Sequence, residues 1–192
     1  MTIVKKLLGR ALFLLGLFVV MGIGYHFTPV YKLSEAVYWE GVHQSTEEQW
    51  AIRWVIANRK DMGRPEWGDT FHSVIHGGAN RGNNRDFTYV DHRGTRAGIT
   101  EGMPILPYVH ALRRDEIRWQ TVWRINWQSL QFFAGYLART TEDSTNGAVF
   151  YKVTGHPNSW FEREIAAGRM CNPHRIDAHT FYNLCASGLP VF

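Results

Sequence analysis

The sequence predicts a mainly helical, α+β domain with a small strand element, preceded by an N-terminal membrane segment. Residues 29–62 and 108–139 carry apolar residues at helical spacing, whereas residues 147–153, GAVFYKV, are typical of a strand. Residues 11–31 contain no Asp, Glu, Lys or Arg, which is typical of a segment that enters a bilayer. The chain has 192 residues, 45% hydrophobic and 20% charged, which favours one folded domain and excludes a disordered chain.

Residues 1–27 are predicted to form a signal-anchor or transmembrane segment, and residues 28–192 the folded domain. The strongly apolar part, from Ala11 to Phe27, has 17 residues, which is at the low end of what spans a bilayer. Lys5, Lys6 and Arg10 precede it, and positive charge before an apolar run predicts a cytoplasmic N-terminus. We therefore expect a single-pass protein of the inner membrane with its domain on the periplasmic or cell-wall side. A cleaved signal peptide and a buried helix are the alternatives.

Glu40 is the first candidate for chemistry. Thr28 is a predicted N-cap with proline at the first helical position, and Leu33, Ala36, Val37 and Glu40 share one face of the helix that follows. Burial disfavours the charged form of a carboxyl group, and such a group suits general acid catalysis near neutral pH. The alternative interpretation is an ordinary surface glutamate.

Further helices follow along the chain. Residues 45–48 form a capping-box pattern that starts a second helix, and Gly63 to Pro65 ends it. Short helices are predicted around Phe71 and around Trp160. In the long region 108–139, these residues recur at near-helical spacing: Trp119, Val122, Trp123, Leu130, Phe133, Ala134 and Leu137.

Cys171 and Cys185 are 14 residues apart. In an oxidising compartment we expect them to form a disulfide, worth about 3 kcal/mol by the loop-entropy model. Two buried free thiols are the alternative.

Other kinds of site have weaker support. His72 and His76 have the i, i+4 spacing of metal ligands, but no third ligand follows at a telling spacing, so neither a metal site nor a cofactor is predicted. No serine or cysteine nucleophile signature is present. The net charge of +4 and the basic segments 80–85 and 113–118 come without a nucleic-acid-binding motif, so no nucleic-acid partner is predicted.

Five blocks, in order from residue 33 to 183, resemble the spore-cortex-lytic, or cell wall hydrolase, family. LSEAVYWEG with EEQWAIRWVIANR is similar to the family's L-A-x-x-I-Y-x-E-A-R-G-E and G-Q-x-A-V-x-x-V-x-x-N-R. FHSVIH, DFTYVDHRG, GAVFYKVTGHPNSW and RIDAHTFYN resemble the later blocks. The resemblance implies a lysozyme-like domain related to lytic transglycosylases, which cuts peptidoglycan glycan strands between N-acetylmuramic acid and N-acetylglucosamine.

The resemblance also implies a set of site residues. Glu40 takes the place of the catalytic acid. Seven residues are expected to bind or line the glycan groove: Phe87, Thr88, Tyr89, Tyr151, Trp160, His179 and Tyr182. Core packing is the alternative for these side chains.

The chain departs from the family pattern at two places that bear on mechanism. Gln44 stands where the family has a second carboxylate, and Asp86 replaces a glutamine before Phe87. With Glu40 alone, we expect the 1,6-anhydro product of a lytic transglycosylase. With Asp86 as a base that activates water, the chain would be a hydrolytic muramidase of the endolysin type.

Two further alternatives remain open. The Gln44 departure favours a non-catalytic, membrane-anchored protein that binds peptidoglycan. Gly16, Gly22 and Gly24 weaken the predicted anchor, which resembles the signal-arrest-release segments of some phage endolysins. Gly22-Ile-Gly24 is also the place where a signal peptide would be cleaved. The oligomeric state is not predicted.

Overall fold

The computed structural model describes residues 11–17, 24–25, 28–65, 67–76, 119–155 and 157–185. Beyond the helical residues 11–17, these ranges contain five helices and one three-stranded antiparallel sheet. The elements are α1 (Pro29–Gly41), α2 (Thr46–Met62), α3 (Phe71–His76), α4 (Trp119–Ala138), β1 (Phe150–Val153), α5 (Ser159–Ala166), β2 (Met170–Ile176) and β3 (His179–Leu184). The predicted mainly helical, α+β class is confirmed.

Helix α1 begins where the sequence predicts. The Thr28 hydroxyl accepts a hydrogen bond from the Tyr31 amide at 3.2 Å, and Pro29 opens the helix. At the other end, Gly41 packs closely against α2. A Cβ atom at Gly41 would lie 2.7 Å from Cδ1 of the fully buried Ile52, so a larger residue would require the Ile52 side chain to shift.

Helix α2 is the centre of the domain. Ser45 caps it by accepting from the Glu48 amide at 3.2 Å, and Gly63 ends it in the left-handed conformation with φ of 58°. The predicted capping box is only half formed. The carboxylate of Glu48 contacts Ala178 in the turn between β2 and β3 and His179 at the start of β3.

A buried arginine joins α2 to α4. Arg53 donates from Nε to the Ser129 hydroxyl at 3.0 Å and from Nη2 to the Ile125 carbonyl at 3.1 Å. A third bond runs from Nη1 to the Gln49 carbonyl at 2.9 Å. Burial lowers the pKa of Arg53 to about 9. The hydrogen bonds from Arg53 to Ser129 and to the Ile125 carbonyl hold α4 at a fixed place along α2.

The sheet has the strand order β1-β3-β2. Tyr151 pairs with Phe181, and Phe150 pairs with Tyr182. Because side chains alternate along a strand, Tyr151, His179 and Phe181 lie on one face, and Phe150 and Tyr182 lie on the other. The first face packs on α2, and the second packs against residues of the main core.

The C-terminal hairpin was not predicted, but its disulfide was. Cys171 in β2 and Cys185 just after β3 form a disulfide with a Cα–Cα distance of 5.5 Å, which confirms the expected pairing. The bond closes the open end of the β2–β3 hairpin, opposite the turn that Glu48 contacts.

Among the helices of the described ranges, none combines the length and the apolarity that a bilayer crossing requires. Much of the predicted N-terminal anchor, residues 1–10, 18–23 and 26–27, lies outside those ranges. The anchor and the predicted localisation therefore stay predictions.

Asn58 holds the segment that leads into β1 through hydrogen bonds from its side chain. Its side-chain amide lies 2.9 Å from Asp143 Oδ2, 3.3 Å from the Thr145 hydroxyl and 3.0 Å from the Ala148 carbonyl. Asn58→Ala should lower the free energy of unfolding by about 2 kcal/mol, because buried acceptors lose their donor. Urea denaturation measures the loss.

Met62→Ala is the matched control, since Met62 is exposed at the end of the same helix. It should change the free energy of unfolding by less than about 0.5 kcal/mol. Equal effects of the two substitutions would contradict a specific role for Asn58.

Candidate active site

Glu40 and Tyr151 meet where the end of α1 faces β1. Glu40 is half-buried, one turn beyond the fully buried Ala36 and Val37. The hydroxyl of Tyr151 lies 3.3 Å from Glu40 Oε2 and donates to it, although the residues are 111 positions apart in the chain. The contact brings together a carboxyl group and a phenol at a partly buried point of the fold.

The turn after Glu40 is held by one glutamine side chain. Gln49 donates from Nε2 to the carbonyls of Gly41 at 2.9 Å and Gln44 at 3.2 Å. The last carbonyls of a helix have no partner within the helix, and Gln49 satisfies one of them. Since Gln49 is fully buried, this contact fixes the end of α1 and so the position from which Glu40 projects.

A second buried carboxylate fixes the other side of the site. Glu48 is fully buried, its Oε1 contacts His179 Nδ1, and its Oε2 accepts from the Ala178 amide at 3.2 Å. Both carboxylate oxygens of Glu48 are therefore engaged by neighbouring groups. The His179 ring then stands edge-on to Tyr151, with centroids 5.3 Å apart and planes at 76°.

Tyr151 keeps its proton at neutral pH. Burial raises the pKa of Tyr151 well above its usual range, and the negative charge of Glu40 raises it further. The positive charge of Arg59 opposes this shift. Arg59 is held by a 2.6 Å bond from Nε to the Val149 carbonyl and lies over the ring of Phe150. The Tyr151 hydroxyl therefore acts as a hydrogen-bond donor toward Glu40.

The structure brings together three of the predicted site residues: Glu40, Tyr151 and His179. Tyr182 is buried in the core against Phe161, on the sheet face away from Tyr151, whereas the resemblance implies a place in the groove. Trp160 is half-buried and packs edge-on to Phe150 and Phe161.

Four predicted residues, Asp86, Phe87, Thr88 and Tyr89, lie outside the described residues. Their roles as a base and as groove residues stay predictions. Within the ranges that the structure does describe, no cluster of three or more His, Cys, Asp or Glu side chains could hold a metal ion.

Sequence reasoning missed Glu48 and Gln49 as parts of the site. The capping-box pattern accounts for a glutamate at position 48, so it gave no reason to look for the contact of Glu48 with Ala178 and His179. Helical spacing carries the missing signal, because Glu48 stands three and seven residues before Ala51 and Val55, on their buried face. A carboxylate on that face needs a partner from another part of the fold.

No protein-family model matches this chain, and neither a curated protein nor a solved structure is significantly similar to it. Function is therefore inferred from the geometry around Glu40 and from the five sequence blocks.

Two adjacent glutamates give a matched test of the buried carboxylate. Glu48→Ala leaves His179 and the Ala178 amide without their acceptor, so the free energy of unfolding should fall by about 3 kcal/mol. Glu47→Ala removes an exposed carboxylate from the same helical turn and should change it by less than about 0.5 kcal/mol. Urea denaturation at neutral pH compares them, and similar losses would contradict the structural role of Glu48.

The raised pKa of Tyr151 predicts how stability depends on alkaline pH. A group whose pKa is higher in the folded state stabilises the protein below its unfolded pKa, about 10 for tyrosine, and this contribution is lost as pH rises further. The free energy of unfolding should therefore fall above about pH 10, and Tyr151→Phe should make that fall shallower.

Glu40→Gln tests how much the charge of Glu40 contributes to the raised pKa of Tyr151. It should also make the alkaline fall shallower, but by less, because burial is the larger cause of the raised pKa of Tyr151. Urea denaturation of the three proteins between pH 8 and 11 measures the slopes. Identical slopes would contradict the assignment to Tyr151.

Proposed function

We propose that this protein is a peptidoglycan glycosidase that cleaves between N-acetylmuramic acid and N-acetylglucosamine, with Glu40 as its single catalytic acid. The observation on which the proposal depends is that Tyr151 contacts both Glu40 and His179. They come from three separate blocks of the resemblance, which supports the proposal. The mainly helical domain with one small antiparallel sheet is compatible with the proposed lysozyme-like fold.

The contact with Tyr151 suits a carboxyl group that gives up a proton and then takes one back. Protonated Glu40 donates its proton to the bridging glycosidic oxygen, and positive charge develops at C1 of the muramic sugar. The Tyr151 hydroxyl hydrogen-bonds Oε2 of the carboxylate that forms. Glu40 then accepts the proton of the same sugar's 6-hydroxyl as its oxygen bonds to C1, which yields a 1,6-anhydro end without consuming water.

The surroundings of Glu48 favour this one-acid mechanism over hydrolysis. A muramidase needs a second carboxylate that reaches the substrate or a water molecule. Glu48 is fully buried, and its two carboxylate oxygens contact the Ala178 amide and the His179 ring. Asp86 is the residue that we would assign as the base if the products turned out to be hydrolytic.

The proposed location follows from the predicted anchor and agrees with the disulfide. A peptidoglycan glycosidase works outside the cytoplasm, where the Cys171–Cys185 bond persists. We place the domain on the periplasmic or cell-wall side of the membrane, tethered by the N-terminal segment.

The test compares Glu40→Gln with Glu47→Gln on purified peptidoglycan sacculi. Glu47 is an exposed carboxylate near the same helix junction, so its substitution controls for a change of net charge. Glu40→Gln should reduce the release of soluble fragments by about 100-fold or more, because a positioned general acid contributes this much to rate. Glu47→Gln should release fragments at the wild-type rate.

Mass spectrometry of the fragments identifies the reaction. Anhydro ends, lighter by one water molecule than reducing ends, are expected for the one-acid mechanism. Reducing ends would assign a muramidase instead. Full activity of Glu40→Gln would overturn the role of Glu40, and binding of wild-type protein to sacculi without cleavage would identify a peptidoglycan-binding protein.

A further inference from the structure

Helix α4 carries an apolar stripe on its solvent-facing side. The stripe consists of Trp123, Trp127, Leu130, Ala134 and Leu137, at positions i, i+4, i+7, i+11 and i+14. Trp127 is 60% exposed, Leu130 44% and Leu137 65%. At 1.5 Å per residue the stripe extends for about 21 Å along the helix. We call it the α4 stripe.

The inward side of the same helix is also apolar, so α4 has apolar side chains on both its buried and its exposed side. Val122, Ile125 and Phe132 are buried there, together with the polar Asn126, Gln128 and Ser129. A surface helix of a water-soluble domain normally has polar residues on its outward side, and α4 departs from this pattern there. Long exposed rows of large apolar side chains mark surfaces that contact another apolar phase or partner.

Tyr25, within the charge-free N-terminal run 11–31, contacts this helix. The Tyr25 hydroxyl donates a hydrogen bond to the side-chain oxygen of Asn126, which lies in the same turn as Trp127. Residues 11–17, within the charge-free run 11–31, form helix and expose leucine and phenylalanine side chains. A membrane that receives this run would therefore lie close to α4.

The charges along α4 also fit a lipid surface. The helix contains no Asp or Glu, and its charged residue, Arg124, is exposed beside Trp123. Arg139 follows the helix and is exposed as well. Tryptophan prefers the boundary between lipid tails and headgroups, and arginine is attracted to anionic lipid phosphates.

We propose that the α4 stripe lies on the surface of an anionic bilayer, with Trp127, Leu130 and Leu137 entering the headgroup–acyl boundary. The helix lies in the plane of the membrane in the manner of an interfacial amphipathic helix. It forms a second membrane contact beside the N-terminal segment and gives the domain a fixed orientation on the bilayer. The inference does not depend on the glycosidase activity.

The test places single nitroxide labels on the full-length chain in vesicles of phosphatidylethanolamine and phosphatidylglycerol. Leu130→Cys and Leu137→Cys put the label on the α4 stripe, while the native cysteines are paired and do not react. Gln131→Cys, exposed beside the stripe, and Glu162→Cys, exposed on α5, are the controls. Electron paramagnetic resonance measures the collision of each label with oxygen and with a water-soluble nickel chelate.

Oxygen dissolves in lipid and the nickel chelate in water, so their ratio reports immersion. We expect the oxygen-to-nickel ratio at 130 and 137 to exceed that at 162 several-fold, with an intermediate ratio at 131. Ratios at 130 and 137 equal to that at 162 would overturn the proposal, provided that circular dichroism shows all four labelled chains to be folded. Spin–spin broadening at 130 that grows with the protein-to-lipid ratio would also overturn it, because a second copy would then cover the stripe.

Discussion

A buried polar group is stabilised by hydrogen-bond partners inside the protein, and the buried polar side chains of helix α2 find many of theirs on neighbouring elements. Gln49 holds the turn after α1, and Arg53 holds α4. Asn58 and Arg59 hold the chain that enters β1, and Glu48 holds the turn between β2 and β3. Many of the acceptors and donors are backbone groups. Helix α2 therefore determines where whole elements lie, rather than where single side chains point.

The candidate site is a product of this arrangement. Glu40 belongs to an element whose end is held by Gln49, and Tyr151 to a strand whose entry is held by Arg59. Neither residue belongs to α2, yet the distance between them is set through it. Catalytic groups act best when the supporting side chains hold them in place before substrate arrives. The polar interior of this small domain thus stabilises the fold and orders the carboxyl group at the same time.

Local patterns predicted the parts of the fold that local forces determine. The Thr28 cap and the inward-facing side of α1 follow from spacing and short-range chemistry, and the disulfide was expected from the predicted oxidising compartment. The β2–β3 hairpin did not follow, because β2 shifts register between Cys171 and His174 and exposes its central residues, which hides the usual alternation. The partner of Glu48 was equally hidden. Helical spacing places Glu48 on a buried face, but it does not say which residue, 131 positions further along the chain, is its partner.

That long separation also affects how the molecule is assembled. The chain is made from its N-terminus, so α1 and α2 are complete well before β1 and β3 exist. Contacts that join residues far apart form slowly, because the entropy of closing a large loop opposes them. During synthesis Glu40 is present without Tyr151, and Glu48 is present without His179. Maturation of the site is therefore tied to the docking of the last strands, so a chain that loses its C-terminal hairpin keeps its carboxyl group but not the surroundings that orient it.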